Sequence, residues 1–203
     1  MQKIKIVLGS QSPRRKELLK ASFLNYEIVT SNIEENSSHK IPSDIAIDLA
    51  GQKAQAVANM VKDKYKLVIG ADTIVVHNNN VLGKPKDRQE ASNMLMQLSG
   101  SCHEVYTGVS FVMGEKSHSF YERTLVFFRP ISTDLLNFYL DTKDSMDKAG
   151  AYGIQGEGLS FIEKIEGSYS NVVGLPIDRV IIEIKKFLGK EEDTSGEWRE
   201  IFK

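Results

Sequence analysis

Apolar positions along the chain alternate between two periods. Ile4 to Leu8 form a short apolar run that reads as a buried strand. A Gly/Ser turn follows, and Ser12 and Pro13 read as the N-cap and first position of a helix reaching about Ala21. Tyr26 to Thr30 have strand character, whereas residues 31–43, SNIEENSSHKIPS, are polar and loop-like. From Ser43 or Asp44 to near Lys64 the pattern is helical, with Ala46, Leu49, Ala50, Ala54, Val57, Ala58 and Val61 on one stripe. Leu67 to Val76 read as a strand, HNNN as a turn, and Val81 and Leu82 as the start of the return strand of a hairpin.

The second half continues in the same manner. Asp87 to Leu98 predict a helix, with Asp87 and Glu90 at capping-box spacing and Gly100 as the stop. Two β-rich runs, CHEVYTGVSFVM and HSFYERTLVFF, flank a GEKS turn. Thr133 to Leu140 predict a short helix, the run AGAYGIQGEG a loop, Leu159 to Ile165 a strand, and Leu175 to Leu188 an amphipathic helix. The segment from Lys190 onward is charged, with Trp198 and Phe202 available to order part of it. Helices and strands intermingle, so the class is α/β or α+β.

Composition narrows the partners. A chain of 203 residues, 41% hydrophobic, suits one large domain or two intimate lobes. The formal net charge of -1 argues against a general nucleic-acid coat, so any basic site is local. Cys102 is the sole cysteine, which excludes an internal disulfide and a thiolate metal cage and fits a reducing cytosol. The apolar core of MQKIKIVLGSQSPRR is too short for a signal peptide, and no run approaches the roughly 20 residues that span a bilayer. The expectation is a soluble cytoplasmic protein that engages neither nucleic acid nor membrane.

Candidate chemistry begins at the first helix. Its N-terminus should favour negative charge, yet Arg14, Arg15 and Lys16 stand there, each costing about 0.3–1 kcal/mol if exposed. A bound polyphosphate reverses that penalty: backbone N–H groups, the Ser10 and Ser12 hydroxyls and the planar forks of Arg14 and Arg15 form an anion cradle. The alternative is that Arg15 and Lys16 point to solvent. Neither a Walker A pattern nor GxGxxG occurs. Asp72 is the one charge in the apolar strand LVIGADTIVV, a candidate base or metal ligand, or half of a structural ion pair. Lys53 lies on the apolar helix stripe and, taken alone, reads as snorkelling; Lys84 sits in a VLGKP turn where solvation is the ordinary state. Glu34 and Glu35, with Asp72, could supply hard oxygen ligands for Mg²⁺ or Mn²⁺. Gln155, within the glycine-rich run, carries both donor and acceptor and suits a base edge, although a plain flexible turn explains that run equally. The four histidines show no ligand spacing.

Taken together, these segments resemble the Maf family of nucleotide pyrophosphatases, once described as septum-formation inhibitors. The resemblance rests on SPRR at Ser12 to Arg15 with Ser10 before it, the Glu34–Glu35 pair, Lys53-Ala54 and GADTIV at Gly70 to Val75. It continues in order through GKP at Gly83 to Pro85, YTGV at Tyr106 to Val109, DKAGAYGIQG at Asp147 to Gly156 and GSYSNVVGLP at Gly167 to Pro176. It implies a mixed β-sheet with flanking helices in two lobes around a deep nucleotide-binding cleft, as one domain over residues 1–189 followed by a charged tail over 190–203. It further implies hydrolysis of a nucleoside triphosphate to the monophosphate and pyrophosphate with a divalent cation, and a homodimer. Asp72 is then the general base, Glu35 joins it at the metal, and Ser10, Arg14, Arg15, Lys53 and Lys84 hold the triphosphate. Thr73 and Gln155, with Arg14, match positions tied to substrate choice. Arg14 directly after Pro13 and an intact GAYGIQG are similar to the dTTP/UTP branch, rather than to the branch resembling 7-methyl-GTP pyrophosphatases, which has an aromatic there. Gln11 replaces the Gly or Asn frequent before the Ser-Pro pair. A regulatory protein that restrains septum formation through a partner is the alternative from another class.

Overall fold

The computed structural model describes residues 3–202. Its elements are β1 (Lys5–Leu8), α1 (Pro13–Ala21), β2 (Tyr26–Ile28), α2 (Pro42–Val61), β3 (Lys66–His77), β4 (Asn80–Leu82) and α3 (Arg88–Leu98). They continue with β5 (Cys102–Met113), β6 (Lys116–Phe128), α4 (Thr133–Asp141), β7 (Ile162–Glu166), α5 (Tyr169–Val173) and α6 (Ile177–Phe187). Short 3₁₀ turns occupy Ala149–Ala151, Gly156–Phe161 and Glu197–Phe202. The strands form one mixed sheet in the order β2-β1-β3-β5-β6-β7, with β4 paired to β3. β1 runs parallel to both β2 and β3, β4 runs antiparallel to β3, and β6 runs antiparallel to β7. The class expected from the sequence is the one observed.

The chain divides into two compact units. Unit 1 comprises residues 1–72, 107–122 and 174–203, and unit 2 comprises residues 73–106 and 123–173. Each has its own core. In unit 1 the period of two along β1 sends Ile6 and Leu8 into one cluster with Leu19 of α1 and Ile184 of α6, while Val7 packs on the other face with Ala54 and Val57 of α2. Trp198, Ile201 and Phe202 are buried in the first cluster, and the Ile4 N–H donates to the Ile201 carbonyl at 2.7 Å. The segment after Lys190 therefore belongs to this core. In unit 2, Leu95 and Leu98 of α3, Leu136 and Tyr139 of α4, Phe128 and Phe161 share a core.

α2 lies unusually close to the sheet within unit 1. A Cβ at Gly70 would lie 2.5 Å from the Ala50 carbonyl and 2.6 Å from the Ala54 N, and one at Gly108 would meet the Ala46 backbone. Only glycine permits that approach.

Several boundaries differ from the sequence reading, each for a local reason. α2 starts at Pro42, with Ile41 as a cap that makes no side-chain bond and Asp44 inside the first turn. The β3–β4 hairpin turns at Asn78 and Asn79, both with positive φ (50° and 63°), the type I′ combination that suits asparagine. Asp87 caps α3 by accepting from the Glu90 N–H at 2.8 Å, but the Glu90 carboxylate accepts from Lys86 N rather than closing the reciprocal box. Leu159 to Phe161 lie in a 3₁₀ turn, so β7 begins only at Ile162. The helix expected from Leu175 begins at Ile177, because Pro176 caps it and Gly174, at φ 121°, separates it from α5.

Candidate functional site

The strand-to-helix turn at residues 9–13 is built by its own hydroxyls. Ser12 N–H donates to Ser10 Oγ at 3.2 Å, and Ser12 Oγ caps α1 by accepting from the Arg15 N–H at 3.5 Å. Pro13 at the first helical position has no N–H to satisfy. No acidic residue stands in the first turn.

Arg15 does not run out to solvent. Its Nε donates to the Gly174 carbonyl at 2.7 Å and Nη1 to Ser10 Oγ at 3.4 Å. Burial lowers its pKa from the ordinary value, the Asp72 and Glu35 carboxylates oppose that shift, and the neighbouring Arg14 cation adds to it. Arg14, Arg15, Glu35 and Asp72 thus share one electrostatic environment within unit 1. The Gly174 carbonyl is a partner that sequence reasoning missed; its signal was the glycine of the Gly-Leu-Pro run, needed at φ 121°.

Lys53 is not snorkelling. Its Nζ lies 2.5 Å from Asp72 Oδ1 and 2.8 Å from Glu35 Oε2. The Lys53 and Asp72 side chains are only 16% and 12% exposed, whereas Glu35 is 43% exposed, so this is a partly buried pair with a wetter third member. Two carboxylates converge on one ammonium, Asp72 from β3 and Glu35 from the segment between β2 and α2. That loop is tied to the helix one residue from Lys53: Gln52 Nε2 donates to the Asn36 carbonyl at 2.8 Å. The Asp48 carboxyl, held below its usual range, accepts from the Ser37 and Gln52 side chains. Asp48 and Gln52 stand at i, i+4 on α2, a spacing that announces a shared face although nothing in it announces a loop anchor. Glu34 is exposed.

The remaining expected residues belong to unit 2. Thr73 follows Asp72 on β3 and is half-buried. Lys84 is exposed in the turn after β4, and the Gly83 carbonyl beside it accepts from the Gly150 N–H at 3.1 Å. Gln155 is half-buried between the two 3₁₀ turns of the glycine-rich segment. Within unit 2, then, the loops bearing Lys84 and Gln155 are joined by a backbone hydrogen bond.

Among the described residues no helix is long and apolar enough to cross a membrane. The chain is 50% identical over 184 residues to a dTTP/UTP pyrophosphatase of Bacillus cereus (strain G9842), covering 90% of this chain and 95% of that protein. It is 48% identical, with the same coverage, to a dTTP/UTP pyrophosphatase of Bacillus anthracis. Among solved structures, the Staphylococcus aureus Ham1 protein is similar at a TM-score of 0.46 and 16% identity, over 61% of this chain and 71% of that one. Residues 5–187 match the family described as Maf-like protein, which takes in every expected site residue. The chain belongs to the Maf-like protein family.

Proposed function

We propose that the protein hydrolyses dTTP and UTP to the monophosphate and pyrophosphate in the cytoplasm. The observation that carries this reading is the Lys53 ammonium held by Asp72 and Glu35, in the same electrostatic environment as the Arg15 fork. The base preference is taken from the relatives that share about half of the sequence.

In this reading Asp72 is the general base. Oδ1 is engaged by Lys53, and Oδ2 is the oxygen that takes a proton from water in this reading. The water attacks the α-phosphorus. The pyrophosphate leaves toward Arg14, Arg15, Ser10 and the N–H groups opening α1, which offset its growing negative charge. Arg15 needs no reorganisation for this, because Gly174 and Ser10 already hold it. Lys53 and Lys84 steady the phosphates, and Thr73 and Gln155, with Arg14, discriminate the base. Positioning and fixed charge supply most of the acceleration.

Glu35 and Asp72 also fit Mg²⁺ or Mn²⁺. Their oxygens converge on one cation already, and two carboxylates completed by phosphate oxygens and water make a hard-oxygen set. Such a cation, when bound, neutralises phosphate charge. The nucleotide is the only partner this chemistry requires.

The test is pyrophosphate release from dTTP, UTP, CTP and 7-methyl-GTP, with the wild-type protein and Asp72→Asn. Preference for dTTP and UTP, and loss of most turnover in a folded Asp72→Asn protein, are expected. Full turnover by that variant removes Asp72 as the base, and a preference for 7-methyl-GTP overturns the substrate assignment.

A further inference from the structure

Lys148 is a buried lysine outside the set considered so far, 9% exposed and saturated. Its ammonium has three protons and donates to the Asp144 carbonyl at 2.5 Å, Asp144 Oδ1 at 2.7 Å and Asp147 Oδ1 at 2.6 Å. The Asp144 carboxylate accepts in turn from the buried Tyr139 hydroxyl at 3.3 Å. The Tyr139 phenol is pushed well above its ordinary pKa by burial first and the Asp144 charge second, and it also meets the Gly153 backbone.

The stem of Lys148 has a separate role. A Cβ at Gly153 would lie 2.7 Å from Lys148 Cε and 3.0 Å from Cδ, so the Gly153 backbone rests directly on the lysine methylenes. Gly158 packs in the same way on the Gly153 carbonyl. Gly153 and Gly158 bracket Gln155. Upstream, Gly150 takes φ 69° and Ala151 φ 62°, both left-handed, which bends the chain back over Lys148. Gly150 also carries the N–H that bonds Gly83, beside Lys84. Residues 144–158 are therefore a loop wound around one cation and its stem, with Gln155 between the two glycines packed there.

We propose that Lys148 is a positioning residue for base selection, its clamped ammonium and stem fixing the loop that presents Gln155. The inference rests on the reading that Gln155 meets the base. A buried, fully engaged ammonium is strongly destabilised by loss of an acceptor, so the loop has one tight arrangement. A hydrogen-bonding amide discriminates between bases only while its place is fixed, since small misplacements cost large factors in rate.

The test is Lys148→Met, which keeps a stem of similar length for Gly153 and removes the three donors. KM and kcat are measured for dTTP, UTP and CTP, with inhibition by inorganic triphosphate, which has no base. The expected result is a fall of about tenfold in the preference for dTTP over CTP, carried mainly by KM, with triphosphate inhibition unchanged. An unchanged preference, or an equal loss of triphosphate binding, overturns the proposal. Gln155→Glu is measured on the same panel. If it shifts base preference while Lys148→Met does not, the clamp is wrong and the Gln155 reading stands. If Gln155→Glu shifts nothing, the Gln155 reading fails and takes the clamp with it. Should Lys148→Met not fold, Asp147→Asn, which weakens one acceptor near the surface, must move the same ratio in the same direction by about twofold or more; an unchanged ratio overturns the proposal.

Discussion

The Lys53 ammonium stands 2.5 Å from Asp72 Oδ1, on a helix residue adjacent to one that touches the sheet backbone two residues before Asp72. Lys53 neighbours Ala54, whose N and Cβ face Gly70. The separation of the Asp72 carboxylate and the lysine is thus set by backbone packing rather than by side-chain reach.

Removing the bridge has two opposite effects. Lys53→Met leaves Asp72 and Glu35 facing each other without a cation between them. We expect kcat for dTTP to fall by about 10²-fold or more. Mn²⁺ affinity of the nucleotide-free protein, read by titration, should rise, because the ammonium no longer competes for the same oxygens.

Arg15→Lys keeps the charge and loses the fork. An ammonium has three N–H groups on one nitrogen against the five of the guanidinium fork, so it cannot reach Gly174 and Ser10 and still offer a bidentate pair to a phosphate. KM for dTTP should rise about tenfold or more, and denaturant unfolding should show a loss of about 1–2 kcal/mol from the unpaired Gly174 carbonyl.

Gly70→Ala inserts a methyl between β3 and α2 where the obstacles are backbone atoms. Neither can rotate away. Stability should drop by about 2–3 kcal/mol in urea unfolding, and turnover should fall with it, because Lys53 moves off Asp72. Retained kcat in a destabilised protein would show that reach, not packing, sets the pair.

His103 gives a pH signature. It is buried against Phe128 and Tyr152, with Nε2 2.7 Å from the Tyr152 hydroxyl. Burial first, and the His77 charge second, push its pKa down to about 3 from 6.5. The folded protein therefore binds fewer protons than the unfolded chain between those values. Its stabilising contribution is complete above pH 6.5 and is lost as pH falls toward 3. The slope approaches one proton, about 1.4 kcal/mol per pH unit. His103→Gln should flatten that part of the curve of melting temperature against pH.

Much of this was readable in the chain, and the limits have physical causes. β1, β3 and β5 follow from apolar periodicity, because each has a face committed to a core, whereas α1 follows from the Ser12 cap and Pro13 at its first position. α5 is only five residues long, too short to show a period, and β7 was placed too early because Leu159 and Ser160 alternate like a strand although both are exposed. At the site, the cations opening α1 broke a local rule, and that conflict identified them. Lys53 offered no such conflict: a lysine on an apolar stripe has an ordinary explanation, and only the fold brings two carboxylates to it. Gly174, Gln52 and Lys148 act through the backbone or through burial of charge. Such roles depend on residues far apart along the chain, and periodicity carries no trace of them.

Unit 1 is assembled from three separated segments, and its N-terminal strand packs against Trp198, Ile201 and Phe202. During synthesis these residues emerge after every residue of unit 2. The nascent chain therefore carries the serine and arginine turn before its supporting core exists, and that turn gains its full packing only once residues 198–202 have left the ribosome.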